Sequence, residues 1–402
     1  MKIKKNIYIH LGTYKTGTTF IQNALYNNFN NKNKSIYYPK TGLYGTAHHY
    51  LSSWEFPRWT NGVTHLKFYK KWDQFLNEIL QVESSHIVIS SEIFSSLTLE
   101  QVKIIKNILN GYPLRAIIYL RRQDQYISSL AAQLIKGCNG DFEHYTDLNT
   151  AINIISSSPR MDYENMLENW ANVIGVKNLI VRPYERSQFM RGDILTDFFY
   201  HLMGIFPDDN IKISYENANP RLCRDALEFK RLINQMSLSR DEKNSILPGL
   251  FEYSKIVDSN TNNFFHCHDL LSPEKKIEII NKYKLINYNI AKKYLKENIN
   301  SLFIDKLEKF DSNWIPYSGL KLNKINEIIQ FLINYDKNSM KLIEKSALKY
   351  KINNDDSDMK NLINALNFQE KSSKKTKSYN LSARNIFNFI KNFTSNFSGR
   401  HK

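Results

Sequence analysis

Residues 10–22 read HLGTYKTGTTFIQ, and the fold turns on them. The apolar run Ile7-Tyr8-Ile9 just before them reads as a short strand, and Phe20, Ile21, Ala24 and Leu25 follow at helical spacing. Strand, glycine-bearing loop and helix, in that order, make a phosphate cradle. Gly12 and Gly17 let the chain turn tightly, successive N–H groups point inward, and the helix N-terminus adds partial positive charge. Lys15 brings a full charge into the same loop.

Gly12 and Gly17 have the G-x-x-x-x-G spacing of a nucleoside-triphosphatase P-loop, but Thr18 stands where the P-loop lysine belongs. The lysine lies inside the loop instead, followed by Thr16-Gly17-Thr18-Thr19. Taken alone, a glycine turn with an incidental lysine reads the same way. A second stretch weighs against that. Residues 115–133 read RAIIYLRRQDQYISSLAAQ, in which Ala116–Leu120 has the continuous β-rich apolar character of a buried parallel strand. Arg121 and Arg122 fall at its C-terminal end, the edge where ligands gather in open α/β sheets. A helix is expected from near Asp124, which carries Ser129 eight residues after Arg121 and Ser128 six after Arg122.

The Lys15-Thr16-Gly17-Thr18-Thr19 loop resembles the 5′-phosphosulfate-binding loop of sulfotransferases that use 3′-phosphoadenosine 5′-phosphosulfate (PAPS). The strand-Arg-helix-Ser element is similar to the one with which that family grips the cofactor's 3′-phosphate. Its spacing favours the pair Arg121 and Ser129 over Arg122 and Ser128. The residue types suit the task, because guanidinium offers planar bidentate donors to a phosphate and a serine hydroxyl adds another. A softer likeness follows at residues 177–185, KNLIVRPYE, a strand ending at Tyr184-Glu185. In similar sulfotransferases a tyrosine here lies beside the adenine, and Phe20 falls where an aromatic packs on the base. Core packing for Phe20 and a half-buried strand end for Tyr184 remain open. Residues 163–175, YENMLENWANVIG, look like a helix of bacterial sulfotransferase-like proteins. The resemblance spans residues 5–205, and only its two phosphate motifs are specific. It implies a cofactor-binding set of Gly12, Tyr14, Lys15, Thr16, Gly17, Thr18, Thr19, Phe20, Arg121, Ser129 and Tyr184. It also implies a reaction that needs no metal and no redox group.

Sulfuryl transfer to a hydroxyl needs in-line alignment, charge stabilisation at the bridging oxygen and a proton acceptor. Lys15 suits the second role, with Thr16–Thr19 supplying backbone and hydroxyl donors to the 5′-phosphate. For the base, Glu92 comes first, since it directly follows the strand His86–Ser90. The catalytic residue of related sulfotransferases sits in that place, a histidine in cytosolic members and a glutamate in glycan-modifying ones. A carboxylate at the C-terminal edge of a strand is placed to take up the acceptor's proton. A capping or ion-paired glutamate is the plain alternative. His48 and His49, in an aromatic-rich insertion at residues 40–75, compete for the role. Trp54, Arg58 and Trp59 of that insertion are expected either to stack sugar faces and hold acidic groups or to form a lid's own small core. Adjacent His266-Cys267-His268 make a poor metal chelate without distant partners, so no metal site is expected.

Composition sets outer limits. The 402 residues are 42% hydrophobic, enough for a large core, and no run approaches the roughly 18–20 apolar residues that span a bilayer. The start MKIKKNIYIHLG has no apolar signal core, and Cys138, Cys223 and Cys267 make no disulfide framework, which together favour the cytoplasm, where PAPS is made. Residues 321–402 carry 16 Lys/Arg against 7 Asp/Glu, +9 of the total +16, leaving +7 on the first 320 residues. A basic catalytic region fits a polyanionic nucleotide and an anionic glycan, and no nucleic-acid module is recognisable.

Strands at Ile7–His10, His86–Ser90, Ala116–Leu120 and Leu179–Arg182 alternate with helical patterns, which implies a central parallel sheet flanked by helices, the P-loop-like sulfotransferase fold. Residues 1–315 read as this catalytic domain, 320–370 as a helical C-terminal extension, and 371–402 as a basic linker with an amphipathic tail. That tail, with Ile386, Phe387, Phe389, Ile390, Phe393 and Phe397 near helical spacing, suits peripheral contact with the inner membrane face. Docking on the main domain and disorder are its alternatives. The expected activity is transfer of sulfate from PAPS to a bacterial cell-surface glycan or glycolipid. An ATP/Mg-dependent phosphotransferase and a non-catalytic glycan- or membrane-associated protein are the competing readings.

Overall fold

Ile7, Ile9 and Leu11 point to one face of the first strand, β1 (Asn6–Leu11), and Tyr8 and His10 to the other, and all five are buried. A strand buried on both faces belongs inside a parallel sheet. In the structure, a computed structural model, β1 is the central strand of the order β2-β3-β1-β4-β5, all parallel. The others are β2 (Ile36–Tyr37), β3 (His86–Ser91), β4 (Leu114–Leu120) and β5 (Leu179–Pro183). The structure describes residues 5–30, 35–52, 65–137, 148–206, 221–260, 270–295, 301–305, 317–348 and 357–373.

Between and after the strands run α1 (Thr18–Asn28), α2 (His49–Ser52), α3 (His65–Leu80), α4 (Leu99–Ile108), α5 (Gln123–Gly137), α6 (Leu148–Ser156), α7 (Tyr163–Ile174) and α8 (Ile194–Met203). The rest is helical: α9 (Arg224–Asn234), α10 (Arg240–Asn244), α11 (Leu247–Asn260), α12 (Pro273–Tyr294), α13 (Leu322–Tyr335), α14 (Lys337–Ala347) and α15 (Ser357–Ser373). The protein is thus α/β, a five-stranded parallel sheet flanked by helices, with a helical C-terminal region.

On one face Ile7, Ile9, Ile87, Ile89, Ile118 and Val181 pack against Trp72 and Phe75 of α3, Val102 of α4 and Trp170 of α7. On the other, Tyr8, Val88, Ile117 and Tyr119 meet Ile21 and Leu25 of α1 and Phe198 and Phe199 of α8. Trp170 is fully buried and its Nε1 donates to the Phe94 carbonyl at 2.9 Å, so truncating it costs about 3–5 kcal/mol.

Register sets where function can sit. Leu11 pairs with Ser91 on one side and Ile118 on the other, and Leu120 pairs with Pro183. Level ends in a parallel sheet bring the segments after β1, β3, β4 and β5 out at one edge. Strands β2 and β3 lie to one side of β1 and β4 and β5 to the other, so the chain reverses its progress there, which is where such sheets collect ligands.

Two expectations change. Strand β2, only two residues long, carries too little alternation to be read from sequence. The irregular insertion expected over residues 40–75 ends in the regular helix α3. Phe68, Trp72, Phe75 and Ile79 fall at three- and four-residue spacing and are all buried, so Phe68 and Trp72 belong to a regular helix's core face. Trp54, Phe56, Arg58 and Trp59, the His266–His268 triplet, Cys138 and the Ala383–Phe397 tail lie outside the described residues.

The chain divides into two units. Residues 1–227 and 254–317 form the first, which holds the sheet. Residues 228–253 and 318–402 form the second, a group of helices in which Gly249 admits the Leu332 and Tyr335 side chains of α13 and Tyr253 bonds Glu327 at 2.9 Å. Among the described residues no helix is long and apolar enough to cross a membrane.

Candidate functional site

The loop between β1 and α1 is built from two left-handed residues, Lys15 (φ 66°) and Gly17 (φ 74°). At Gly17 a Cβ would meet Ile194 Cδ1 at 2.9 Å and Tyr184 Cε2 at 3.3 Å, so glycine lets the loop lie against the segments that follow β5. At Gly12 a Cβ would lie 2.8 Å from Thr18 Cγ2 and 3.2 Å from the Glu92 backbone. Lys15 has no such licence, and a non-glycine residue held there carries roughly 1–3 kcal/mol of strain. Bonds beneath the loop hold it: Thr13 Oγ1 donates to Tyr119 O at 2.6 Å and Thr16 Oγ1 to Thr13 O at 2.7 Å. The Thr16 hydroxyl is therefore spent on the loop itself and does not serve as the phosphate donor expected of it. Gly17 also caps α1 without any side chain bonding the first N–H groups, and the first turn has no acidic residue. Thr18 is buried there, Thr19 exposed, and Phe20 half-buried against the core face shared with Tyr184.

Arg121 reaches this loop from the end of β4. Its Nη1 donates to the Lys15 carbonyl at 3.0 Å, and its guanidinium carbon lies 5.7 Å from the Tyr184 ring centroid. Arg122 turns away, forming a fork-to-fork pair with Asp124 (2.8 and 3.1 Å) and donating to Asp305 O at 2.8 Å. Lys15 Nζ donates to Gln133 Oε1 of α5 at 3.3 Å. Ser129, Gln133 and Lys136 share one face of α5 by their spacing, so half-buried Ser129 belongs to the face that meets the loop.

Cations converge here. Burial, then Arg121 and Arg221, hold the Lys15 ammonium down to about 8. Burial, Lys15 and Arg221 bring Lys136 to about 8 as well. Arg121 is lowered chiefly by burial, with Arg221 adding to it and the Tyr184 phenol opposing it. Four cationic side chains thus bear on each other around an uncapped helix N-terminus, an arrangement that a polyanion relieves. Lys136, Gln133 and Arg221 escaped the sequence reading. The first two carry a signal in hindsight, lying seven and four residues beyond Ser129. Arg221 comes from a distant segment with no motif around it.

A second set of groups lies at the end of β3. Glu92 opens a 3₁₀ turn, Glu92–Ser96, capped by Ser91 Oγ. Gln22 of α1 donates to Glu92 Oε2 at 3.2 Å and, from the same amide nitrogen, to Ser90 Oγ at 3.2 Å. His49 Nε2 lies 3.9 Å from Glu92 Oε2, and its Nδ1 is 2.8 Å from Ser91 Oγ. Burial lowers the His49 pKa while Glu92 raises it. His48 does not join them. It is fully buried, its Nε2 donates to Pro39 O at 2.9 Å, and its Nδ1 accepts from the Ser90 N–H at 3.2 Å. With both nitrogens bound to backbone and its pKa pressed to about 4 by burial, His48 is a structural residue and not a proton acceptor. His10, which the sequence reading passed over, is buried at the end of β1 with Nδ1 at 2.8 Å from Ser90 Oγ, and burial takes it to about 4.

Tyr14 joins the two halves. Its phenol is raised by burial, lowered by Arg160 and raised by Glu92, so it lies within electrostatic reach of both. The Arg160 guanidinium carbon stacks 4.8 Å from the Tyr14 ring centroid.

No protein-family model matches the chain. Over 209 residues it is 25% identical to an "Uncharacterized protein" of Archaeoglobus fulgidus, a match covering 52% of this chain and 53% of that protein. The chain spans about half the length of the curated relative it matches.

Proposed function

We propose that this protein is a PAPS-dependent sulfotransferase that moves a sulfuryl group to a hydroxyl of a glycan or glycolipid, a bacterial cell-surface one by its resemblance. The observation that carries the reading is the meeting of the Gly12–Gly17 loop with Arg121 and α5: Arg121 Nη1 donates to the Lys15 carbonyl at 3.0 Å and Lys15 Nζ to Gln133 Oε1 at 3.3 Å, and Arg221 adds to the burial that lowers the proton affinity of Lys15, Arg121 and Lys136. A bisphosphorylated nucleotide needs such a density of charge. Thr18, in place of the lysine that an ATP-binding P-loop would carry, argues against the phosphotransferase alternative.

PAPS supplies the sulfuryl group and a leaving phosphate that is already a stable anion. The chain's residues do the rest. The loop N–H groups and Lys15 take up charge on the bridging oxygen, Arg121 and Ser129 hold the 3′-phosphate, and Tyr184, stacked beside Arg121, flanks the base. Glu92 accepts the acceptor's proton, with Gln22 orienting its carboxylate. The acceptor oxygen bonds sulfur as the sulfur–oxygen bond to the 5′-phosphate breaks, its electron pair staying on the phosphate. The reading carries with it a cytoplasmic site of action, peripheral to the inner membrane face.

Calorimetry with adenosine 3′,5′-bisphosphate and with MgATP tests it. Micromolar binding of the bisphosphate without magnesium is expected. Preference for MgATP overturns the reading.

A further inference from the structure

We infer that His10 and Ser90 are positioning residues for Glu92: through Gln22 they hold its carboxylate oxygen Oε2, so that Oε1 is the atom that takes the acceptor's proton. The inference rests on the sulfotransferase reading and adds two residues and one atom to its site.

Register places the group. His10 of β1 pairs with Ser90 of β3, and Tyr8 and Val88, two residues before them, lie on the face that Ile21 and Leu25 of α1 cover. His10 and Ser90 therefore stand side by side under α1. His10 Nδ1 lies 2.8 Å from Ser90 Oγ. Gln22 of α1 donates from Nε2 to Ser90 Oγ and to Glu92 Oε2, each at 3.2 Å. His10, Gln22 and Ser90 are all buried. The Ser90 backbone is fixed in turn: the His48 N–H donates to its carbonyl at 2.7 Å, and its own N–H donates to His48 Nδ1 at 3.2 Å.

Charge sets the direction of these bonds. An ionised carboxylate only accepts, so Gln22 turns its amide nitrogen toward Glu92. The second amide proton goes to Ser90 Oγ, and the Ser90 hydroxyl gives its one proton to His10 Nδ1. The Tyr38 phenol beside Ser90 spends its own proton on Thr46 O at 2.7 Å and adds no donor. His10 is then the neutral tautomer protonated on Nε2. That nitrogen has no hydrogen-bond partner among the described residues, and the ring sits edge-on to Phe198 and Tyr119, with centroids 5.3 and 6.3 Å away. An apolar side chain would fill this place without an orphaned donor, so Nδ1 is what the histidine contributes. At the far end, Gln22 Nε2 at 3.2 Å and His49 Nε2 at 3.9 Å both address Glu92 Oε2. Among the described residues Oε1 takes no hydrogen bond. Holding one oxygen aims the other. The bonds move no proton; they keep the base in line with the hydroxyl it serves.

The test uses the full chain with its 10 histidines labelled with nitrogen-15. Without ligand, the His10 signals, identified by their loss in His10→Asn, should show a protonated Nε2 and an unprotonated Nδ1. A protonated Nδ1 or an imidazolium overturns the inference. Transfer from labelled PAPS to glycans extracted from bacterial cell surfaces reads the effect on Glu92. Ser90→Ala and His10→Leu should lower kcat about ten- to a hundredfold, the scale of a misaimed reacting group, with KM for PAPS and bisphosphate affinity within about twofold. His10→Asn, whose amide oxygen stands in place of Nδ1, should recover part of that loss. In a Glu92→Gln background Ser90→Ala should change the residual kcat by less than about twofold, since no base is left to aim. Unchanged kcat in folded Ser90→Ala, no gain of His10→Asn over His10→Leu, or a full second loss in the Glu92→Gln background each overturn the inference. Should His10→Leu fail to fold, Ser90→Ala and the tautomer decide. No transfer by the unsubstituted protein would strike the sulfotransferase reading instead, while the tautomer, read without substrate, still decides the direction of the bonds.

Discussion

Arg121 Nη1 donates to the carbonyl oxygen of Lys15 at 3.0 Å, so the residue that follows β4 is bonded to the loop that follows β1. The two motifs are 106 residues apart in sequence and adjacent strands bring them together, because Leu11 of β1 pairs with Ile118 of β4.

Neighbouring arginines should therefore fail differently. Arg121→Ala is expected to weaken adenosine 3′,5′-bisphosphate binding about 10–100-fold, the loss of charged hydrogen bonds worth roughly 1.5–3 kcal/mol. Arg122→Ala leaves the Asp124 carboxylate buried without its fork partner, and about 3–5 kcal/mol of stability should go with it. Calorimetry and thermal unfolding on both variants read the two effects. Equal losses of affinity would mean that both guanidinium groups face the ligand.

Binding should take up protons. Lys15 and Lys136 are each held to about 8 in the ligand-free protein, largely by burial and by cationic neighbours. A bound polyanion favours the protonated forms, so both pKa values rise on binding. Affinity should then be flat below pH 7 and fall as pH rises through 8, where the free protein has lost protons that the complex keeps. Calorimetry at pH 8 in buffers of different ionisation enthalpy should find net proton uptake. Proton release would contradict the placement of these ammonium groups against an anion.

Much of this was legible in the sequence because short-range chemistry fixes it. The loop of Gly12 and Gly17 and the strand ending at Arg121 are local patterns, and four of the five strands announce themselves as β-rich apolar runs. Glu92 could be marked as a strand-end carboxylate for the same reason. The distinction between His48 and His49 was not legible. One points its ring at the Pro39 and Ser90 backbone and the other at Ser91 and Glu92, a difference set by a four-residue helix and by packing on β3. Arg221 was not legible either, because it acts on Lys15 and Lys136 from a segment far along the chain, which no local spacing encodes. Trp72 fell inside the irregular insertion expected over residues 40–75, whereas its spacing with Phe68 and Phe75 is that of a core-facing helix.

Gly17 tests the cradle through the backbone alone. At φ 74° an alanine is strained, and its Cβ would press on Ile194 Cδ1 at 2.9 Å and on the Tyr184 ring. Gly17→Ala is expected to cost about 1–3 kcal/mol in unfolding free energy and to weaken bisphosphate binding more than tenfold, because the loop and Tyr184 must both shift. Denaturant unfolding and calorimetry measure the pair. Unchanged affinity in a folded variant would remove the loop from the binding site.

Glu92 and the two histidines beside β3 separate chemistry from scaffolding. Glu92→Gln keeps the size and one acceptor oxygen of the side chain but loses its proton affinity, so kcat should drop about 10²–10⁴-fold while bisphosphate affinity holds. His48→Ala strands the Pro39 carbonyl and the Ser90 N–H in the interior, and the expected loss is stability, about 2–4 kcal/mol, rather than turnover by the folded fraction. His49→Gln removes the imidazole 3.9 Å from Glu92 Oε2 and should move the acid limb of the kcat profile rather than abolish activity, since the carboxylate keeps its bond from Gln22. Pre-steady-state sulfate transfer across pH, alongside unfolding curves for each variant, distinguishes the three. If His49→Gln abolished turnover and Glu92→Gln did not, the imidazole would be the proton acceptor and the carboxylate its orienting partner.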